Sequence, residues 1–148
     1  MTEFDTIYES FLRKIESFEY LKLEQEDAEK LFFAFLTTAI TKFEYICRKD
    51  LNNMSDIGFN EELSIMEQEI LAMYMVIAHI DSKTVVDENF KNFLNSRDYR
   101  QYSTANTLRA VIELREMLTK DVEALKSQYD SMMFMREINP DKKGRRFL

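Results

Sequence analysis

Apolar residues recur along the chain at two spacings that mark helices. Phe4, Ile7, Tyr8, Phe11, Ile15 and Phe18 fall three or four apart, which predicts an amphipathic helix over about residues 3–20. Thr2 followed by Asp5 resembles a capping box at its start. The stretch "LKLEQED" interrupts the pattern. A wide apolar stripe follows: Leu31, Phe32, Phe35, Leu36, Ala39, Ile40, Phe43, Ile46 and Cys47. It predicts a second helix running to about Lys49. The acids Glu24, Glu26, Asp27 and Glu29 suit the positive end of its dipole, and Arg48 and Lys49 suit the negative end.

"DLNNMSDIGFNEEL" then reads as a polar loop containing a glycine. Ser64 and Glu67 form a second capping-box pair. The helix they open, about 65–80, reads "IMEQEILAMYMVIAHI" and is apolar on nearly every side after Ile70. Such a helix belongs at the centre of a core. "DSKTVVDE" is expected to break it, "NFKNFLN" to form a short fourth helix, and "SRDYRQYS" to connect onward. A long helix over about 103–136 follows, with Leu108, Val111, Arg115, Leu118, Val122, Leu125, Tyr129 and Met132 in heptad spacing. The expected fold is all-α: a helical bundle of about five helices with a long C-terminal helix and an extended basic tail. Residues 1–136 are expected as one helical domain and 137–148 as a docking tail.

Composition supports this class. The chain has 148 residues, of which 45% are hydrophobic and 13% aromatic, enough for a core and too much for a disordered chain. Two glycines and one proline leave few tight turns, which argues against an all-β fold. The formal charge is -7, but its placement is uneven. Lys142, Lys143, Arg145 and Arg146 against Asp141 give the last ten residues a net +3, leaving -10 on the rest. The body should repel nucleic acid and anionic membrane, while the tail should favour an acidic surface. No signal-peptide core opens the chain, and the apolar run Ile70–Ile80 is too short to span a bilayer. With Cys47 as the single cysteine, no intramolecular disulfide can form, and an intracellular setting is expected.

The chemistry that most enzymes need is missing from the pattern. Gly58 and Gly144 alone cannot build a Gly-rich phosphate loop. One His and one Cys cannot make a zinc site, and Val76 stands three residues before His79, where a di-iron bundle would want Glu. No Gly-x-Ser-x-Gly elbow occurs. A Cys47–His79 dyad is the one nucleophilic pairing available, but both residues lie on apolar stripes, where a core role is expected. No catalytic residue, cofactor or metal is assigned.

Three features bear on partners. Arg115 sits at a heptad core position, where a charge needs a counter-ion; either its own chain or a neighbouring subunit could supply one. Met132, Met133 and Phe134, within "SMMFM", suit either closure of the core or contact between subunits. The tail, with Pro140, Lys142, Lys143, Arg145, Arg146, Phe147 and Leu148, combines cations with an apolar pair and reads as either a solubilising end or a segment that orders on an acidic partner.

The stretch "FKNFLNSRDYRQYSTANTLRAVIELRE", Phe90–Glu116, resembles a pattern found in small helical proteins of tailed bacteriophages. There an apolar helix precedes a "DKDFKFYSQANHL"-like connection and a long charged helix. Arg97 to Leu108 carry the match here, with Thr107 where a His is common and His79-Ile80 where a Trp is common. "FDTIYESFLRKI" and "EILAMYMVIAHI" extend the likeness over most of residues 1–130. The family is that of head–tail connectors, also called adaptor or neck proteins. The resemblance implies a non-enzymatic structural virion protein at the neck, made in the host cytoplasm. It implies a homo-oligomeric ring, typically dodecameric, beneath the portal protein and above a tail or stopper protein. DNA would pass through the lumen without specific contact, and no membrane is involved. It makes residues 140–148 a portal-facing clamp, and Arg97, Asp98, Tyr99, Tyr102, Arg115 and Met132–Phe134 candidate intersubunit contacts. A regulator of a host protein and a tail-completion protein are the alternatives.

Overall fold

A computed structural model describes residues 1–15, 20, 23–94 and 98–139, with side chains given except over 84–94 and 98–108. Among the described residues there are four helices, α1 (Phe4–Arg13), α2 (Gln25–Phe43), α3 (Ile65–Leu94) and α4 (Asp98–Ile138), and two short strands, β1 (Thr2–Glu3) and β2 (Gly58–Phe59). The chain is thus mostly helical, as expected. The basic segment 140–148 lies outside the described residues.

α3 is the central element, and α1, α2 and α4 each pack on it. Its residues Ile70, Leu71, Ala72, Tyr74, Met75, Val76, Ile77 and Ile80 are all buried. They meet Ile7 and Phe11 from α1, Phe35, Leu36, Ala39 and Phe43 from α2, and Val122 and Tyr129 from α4 in one core. α3 and α4 form an antiparallel hairpin. Its register follows three side-chain contacts: Glu67 with Tyr129, Tyr74 with Glu123 and Asp81 with Arg115. The heptad stripe of α4 faces inward over Val111, Leu118, Val122, Leu125 and Tyr129, but at its last position Met133, not Met132, packs against the core.

Several boundaries differ from expectation. No separate fourth helix exists at "NFKNFLN": α3 runs through "DSKTVVDE" to Leu94. That stretch contains no glycine or proline, and Ser82 satisfies its hydroxyl by donating to the His79 carbonyl at 2.7 Å, a bond compatible with the helix. α4 begins five residues earlier than expected, so "DYRQYS" is helical. α1 ends at Arg13. There Lys14 N–H bonds the Phe11 carbonyl and Ile15 N–H the Leu12 carbonyl, a 3₁₀-type tightening that closes a helix. α2 ends at Phe43, with residues 44–46 in turns.

The capping expectations split. Ser64 and Glu67 form both halves of a capping box: Glu67 N–H to Ser64 Oγ at 3.1 Å, and Ser64 N–H to Glu67 Oε1 at 2.7 Å. Thr2 and Asp5 do not. Thr2 lies in β1, accepts Leu63 N–H at 2.8 Å and donates to the Glu61 carbonyl. The small sheet was not foreseen. β1 pairs antiparallel with β2, Thr2 opposite Phe59 and Glu3 opposite Gly58. Gly58 is required there, because a Cβ would collide with the Thr2 carbonyl and fall 2.8 Å from Glu3 Cα. The sheet staples the start of the chain to the 50–63 loop and sets Phe59 edge-on to Phe4, ring centres 5.2 Å apart.

Candidate interaction surfaces

The polar centre of the molecule is Glu67, whose residue is only 1% exposed. Its capping box fixes the carboxylate at the first turn of α3. Tyr129 Oη donates to Oε2 at 2.6 Å, Lys49 Nζ to Oε1 at 3.0 Å, and Cys47 Sγ–H points to Oε2 at 3.6 Å. Tyr129 Oη in turn accepts Arg48 N–H at 2.9 Å. The end of α2, the start of α3 and the far part of α4 are thereby joined through one carboxylate. Burial works to raise the Glu67 pKa, but the Tyr129 hydroxyl, the Ser64 N–H and Lys49 outweigh it and hold it below its ordinary value. Burial and the adjacent carboxylate push the Tyr129 phenol up. The Cys47 thiol is pushed up to about 11, chiefly by burial. At neutral pH it is a thiol and a poor nucleophile.

His79 lies twelve residues further along α3, about 18 Å at helical rise. It is buried among the rings of Phe11, Phe35 and Tyr20, and its Nδ1 meets the Tyr20 hydroxyl. Cys47 and His79 therefore belong to different surroundings and form no dyad. A second buried charge, Lys126, bonds Glu123 Oε2 at 2.9 Å and lies 5.6 and 5.5 Å from the ring centres of Tyr45 and Tyr74. Burial opposes its charge, but Tyr74 and Glu123 hold its pKa above the ordinary lysine value. Among the described residues, no group of three or more His, Cys, Asp or Glu side chains could hold a metal ion, and no helix is long and apolar enough to cross a membrane.

Of the candidate partner residues, Arg115 finds its counter-ion within its own chain: Nη2 donates to Asp81 Oδ2 at 3.2 Å, and Nε to Oδ1. Met133 packs against the core while Phe134 is 56% exposed; Met132 is half-buried. Asp98, Tyr99 and Tyr102 fall in the first turns of α4, where side chains are not described. Arg97 and all of Pro140, Lys142, Lys143, Arg145, Arg146, Phe147 and Leu148 lie outside the described residues.

Three surfaces stand out. The first is the outer face of α4, a helix about 60 Å long at 1.5 Å per residue. Met117, Phe134, Met135 and Ile138 are exposed there, on the side away from Val122 and Tyr129, and Lys120, Ala124, Ser127 and Ser131 lie between them. The second is an apolar groove of about 530 Å³ between the end of α1, α3 and α4. Met73, Val76, Val111 and Leu118 line it, and Lys14 and Glu69, paired at 2.6 Å, rim it.

The third is a groove of about 860 Å³ bounded by α1, the N-terminal half of α2 and the loop before β2. Its apolar lining is Phe4, Tyr8, Phe33, Met54 and Ile57; its rim carries Glu3, Asp5, Glu26, Glu29 and Asp56 and, among the described residues, the single cation Lys30. Lys30 is spent on Glu26, at 3.6 Å. Among the described residues no cation stands within salt-bridge distance of the other four acids. Tyr8 reports the resulting field: burial first, then Asp5 and Glu29, push its phenol up to about 12. Sequence reasoning had explained Glu26 and Glu29 by the α2 dipole alone. No protein-family model matches this chain, and no curated protein or solved structure shows significant similarity to it.

Proposed function

We propose that this protein is a structural component of a phage particle, a head–tail connector whose copies associate side by side into a ring beneath the portal. The observation that carries the reading is the outer face of α4. A helix of 41 residues that holds its heptad stripe in the core still leaves Met117, Phe134, Met135 and Ile138 exposed on the opposite side. Large apolar side chains left exposed along a long helix are what a packed neighbour would cover. The resemblance over Phe90–Glu116 supplies the biological setting, and the acidic body suits a lumen that must let DNA slide.

The role is assembly, not turnover. Each contact between copies can be weak, since a closed ring engages all of them together and raises the effective concentration of each. Mass spectrometry of purified particles should find the chain at several copies per virion, and the purified full chain should bind a portal protein. A stoichiometric complex with a host enzyme and no copy in the particle would replace this reading with the regulatory one. Substituting Met117 and Met135 by Asp should weaken self-association while leaving the helical circular dichroism signal unchanged. Undiminished association would remove the α4 face from the account.

A further inference from the structure

The acidic-rimmed groove has an occupant written into the same chain. We infer that it receives residues 142–148 of a second copy, so that copies join head to tail through a basic segment laid in an acidic, apolar-floored slot. The inference stands apart from the connector reading, because it needs only self-association and no portal.

Charge is the first argument. Among the described residues the groove presents five carboxylates and one lysine, and that lysine is engaged by Glu26. Segment 141–148 presents Lys142, Lys143, Arg145 and Arg146 against Asp141. Nothing else in the chain concentrates four cations in five positions. Charge-assisted pairs of this kind fix register and speed encounter.

The apolar match is the second. Phe33 and Ile57 are 40% and 60% exposed within a groove whose floor is otherwise Phe4, Tyr8 and Met54. The segment carries Phe147 and Leu148 directly after its cations. An aromatic and an aliphatic side chain set into such a slot are the anchors that give an interface its energy, with the charges as a polar rim. A volume of about 860 Å³ is ample for two such side chains.

The third argument favours a second copy over the chain's own segment. Glu137, near the end of α4, is tied to Arg48 at 2.6 Å, just beyond the C-terminal end of α2. The α2 wall of the groove, Glu26–Phe33, lies toward the other end of that helix. Phe33 to Phe43 alone is about 15 Å. From residue 139 an extended chain reaches at most about 10 Å by Lys142 and about 32 Å by Leu148, so Lys142 and Lys143 of the same chain fall short of Glu26 and Glu29, and only residues 145–148 have the length to approach the groove. Among the described side chains α4 contributes none to the groove. A neighbouring copy meets no such limit, and a contact between two different patches closes into a ring if the rotation allows.

The test uses two full-length variants. One reverses the groove, Glu26→Lys with Glu29→Lys; the other reverses the segment, Lys142→Glu, Lys143→Glu, Arg145→Glu and Arg146→Glu. Sedimentation at low salt should show each alone associating at least about ten-fold more weakly than wild type. An equimolar mixture should restore association, because every reversed groove then meets a reversed segment. Circular dichroism checks that both variants keep their helices. Carbodiimide coupling of mixed light and heavy-isotope wild-type chains should yield Lys142 or Lys143 joined to Glu26 or Glu29 in peptides carrying one label of each kind. Same-label peptides alone, a monomeric wild type at all accessible concentrations, wild-type association by the groove variant, or a mixture that stays dissociated would each overturn the inference.

Discussion

Two carboxylate regions of this molecule solve opposite problems. Glu67 is buried and meets Tyr129, Ser64, Lys49 and Cys47. The groove acids Glu3, Asp5, Glu29 and Asp56 are exposed around apolar side chains, with no cation at salt-bridge distance among the described residues. A buried charge survives only when its partners are already in place, so Glu67 belongs to the fold. Exposed like charges around an apolar floor contribute little to the fold and repel one another weakly, which is the arrangement the proposed second-copy contact would use. The same residue type thus marks a closed structural joint in one place and an open surface in the other.

The largest expected effect breaks the joint. Glu67→Ala leaves Lys49 and Tyr129 facing an apolar gap and removes half of the capping box, so it should lower unfolding free energy by about 3–5 kcal/mol, read from urea midpoints. Tyr129→Phe keeps the ring against Phe43 (ring centres 5.2 Å apart) and removes only the hydroxyl. It leaves Arg48 N–H without its acceptor and should cost about 1–3 kcal/mol. If both variants unfold like wild type, Glu67 is not the joint its geometry describes.

A pH titration sharpens the same point. The folded Glu67 pKa is lowered relative to the unfolded chain. Its contribution is therefore fully present above the unfolded value of about 4.3 and is lost as pH falls through the folded value. Glu67→Gln should show a shallower loss of stability than wild type below about pH 4.5. Parallel curves would mean that other carboxylates carry the acid sensitivity. The neighbouring thiol gives a second reading: with Cys47 pushed up to about 11, its reaction with a disulfide reagent should stay slow at pH 8 and accelerate about ten-fold per pH unit up to that value.

What the sequence disclosed follows the range of each signal. The Ser64–Glu67 box, the all-round apolar α3 and the heptad of α4 are local patterns, and each stands in the fold. The continuation of α3 through "DSKTVVDE" was misread because polar and β-branched residues weaken a helix without ending it; the missing glycine and proline were the better signal. The β1–β2 pairing, the use of Thr2 at Leu63 and the reach of Tyr129 to Glu67 join residues about sixty apart, and no local pattern encodes them. Tyr129 was legible as a core position, but its hydroxyl's partner was not. The groove was hidden for the same reason, since its acids come from β1, α1, α2 and the loop before β2 and assemble only when those segments fold together.

The smallest effect separates the two regions most cleanly. Glu29→Gln touches no core contact and removes one negative charge from a rim that already holds an excess. Its bond from Gln25, 3.2 Å and exposed, is of the kind that contributes a few tenths of a kcal/mol at most. The variant should therefore unfold within about 0.5 kcal/mol of wild type. Any difference should favour the variant at low salt, where rim repulsion is least screened, and shrink as the Debye length falls to about 10 Å at 0.1 M. A loss of stability of the Glu67 kind would mean that the groove carboxylates are pinned within the fold, and the contrast between joint and surface would fail.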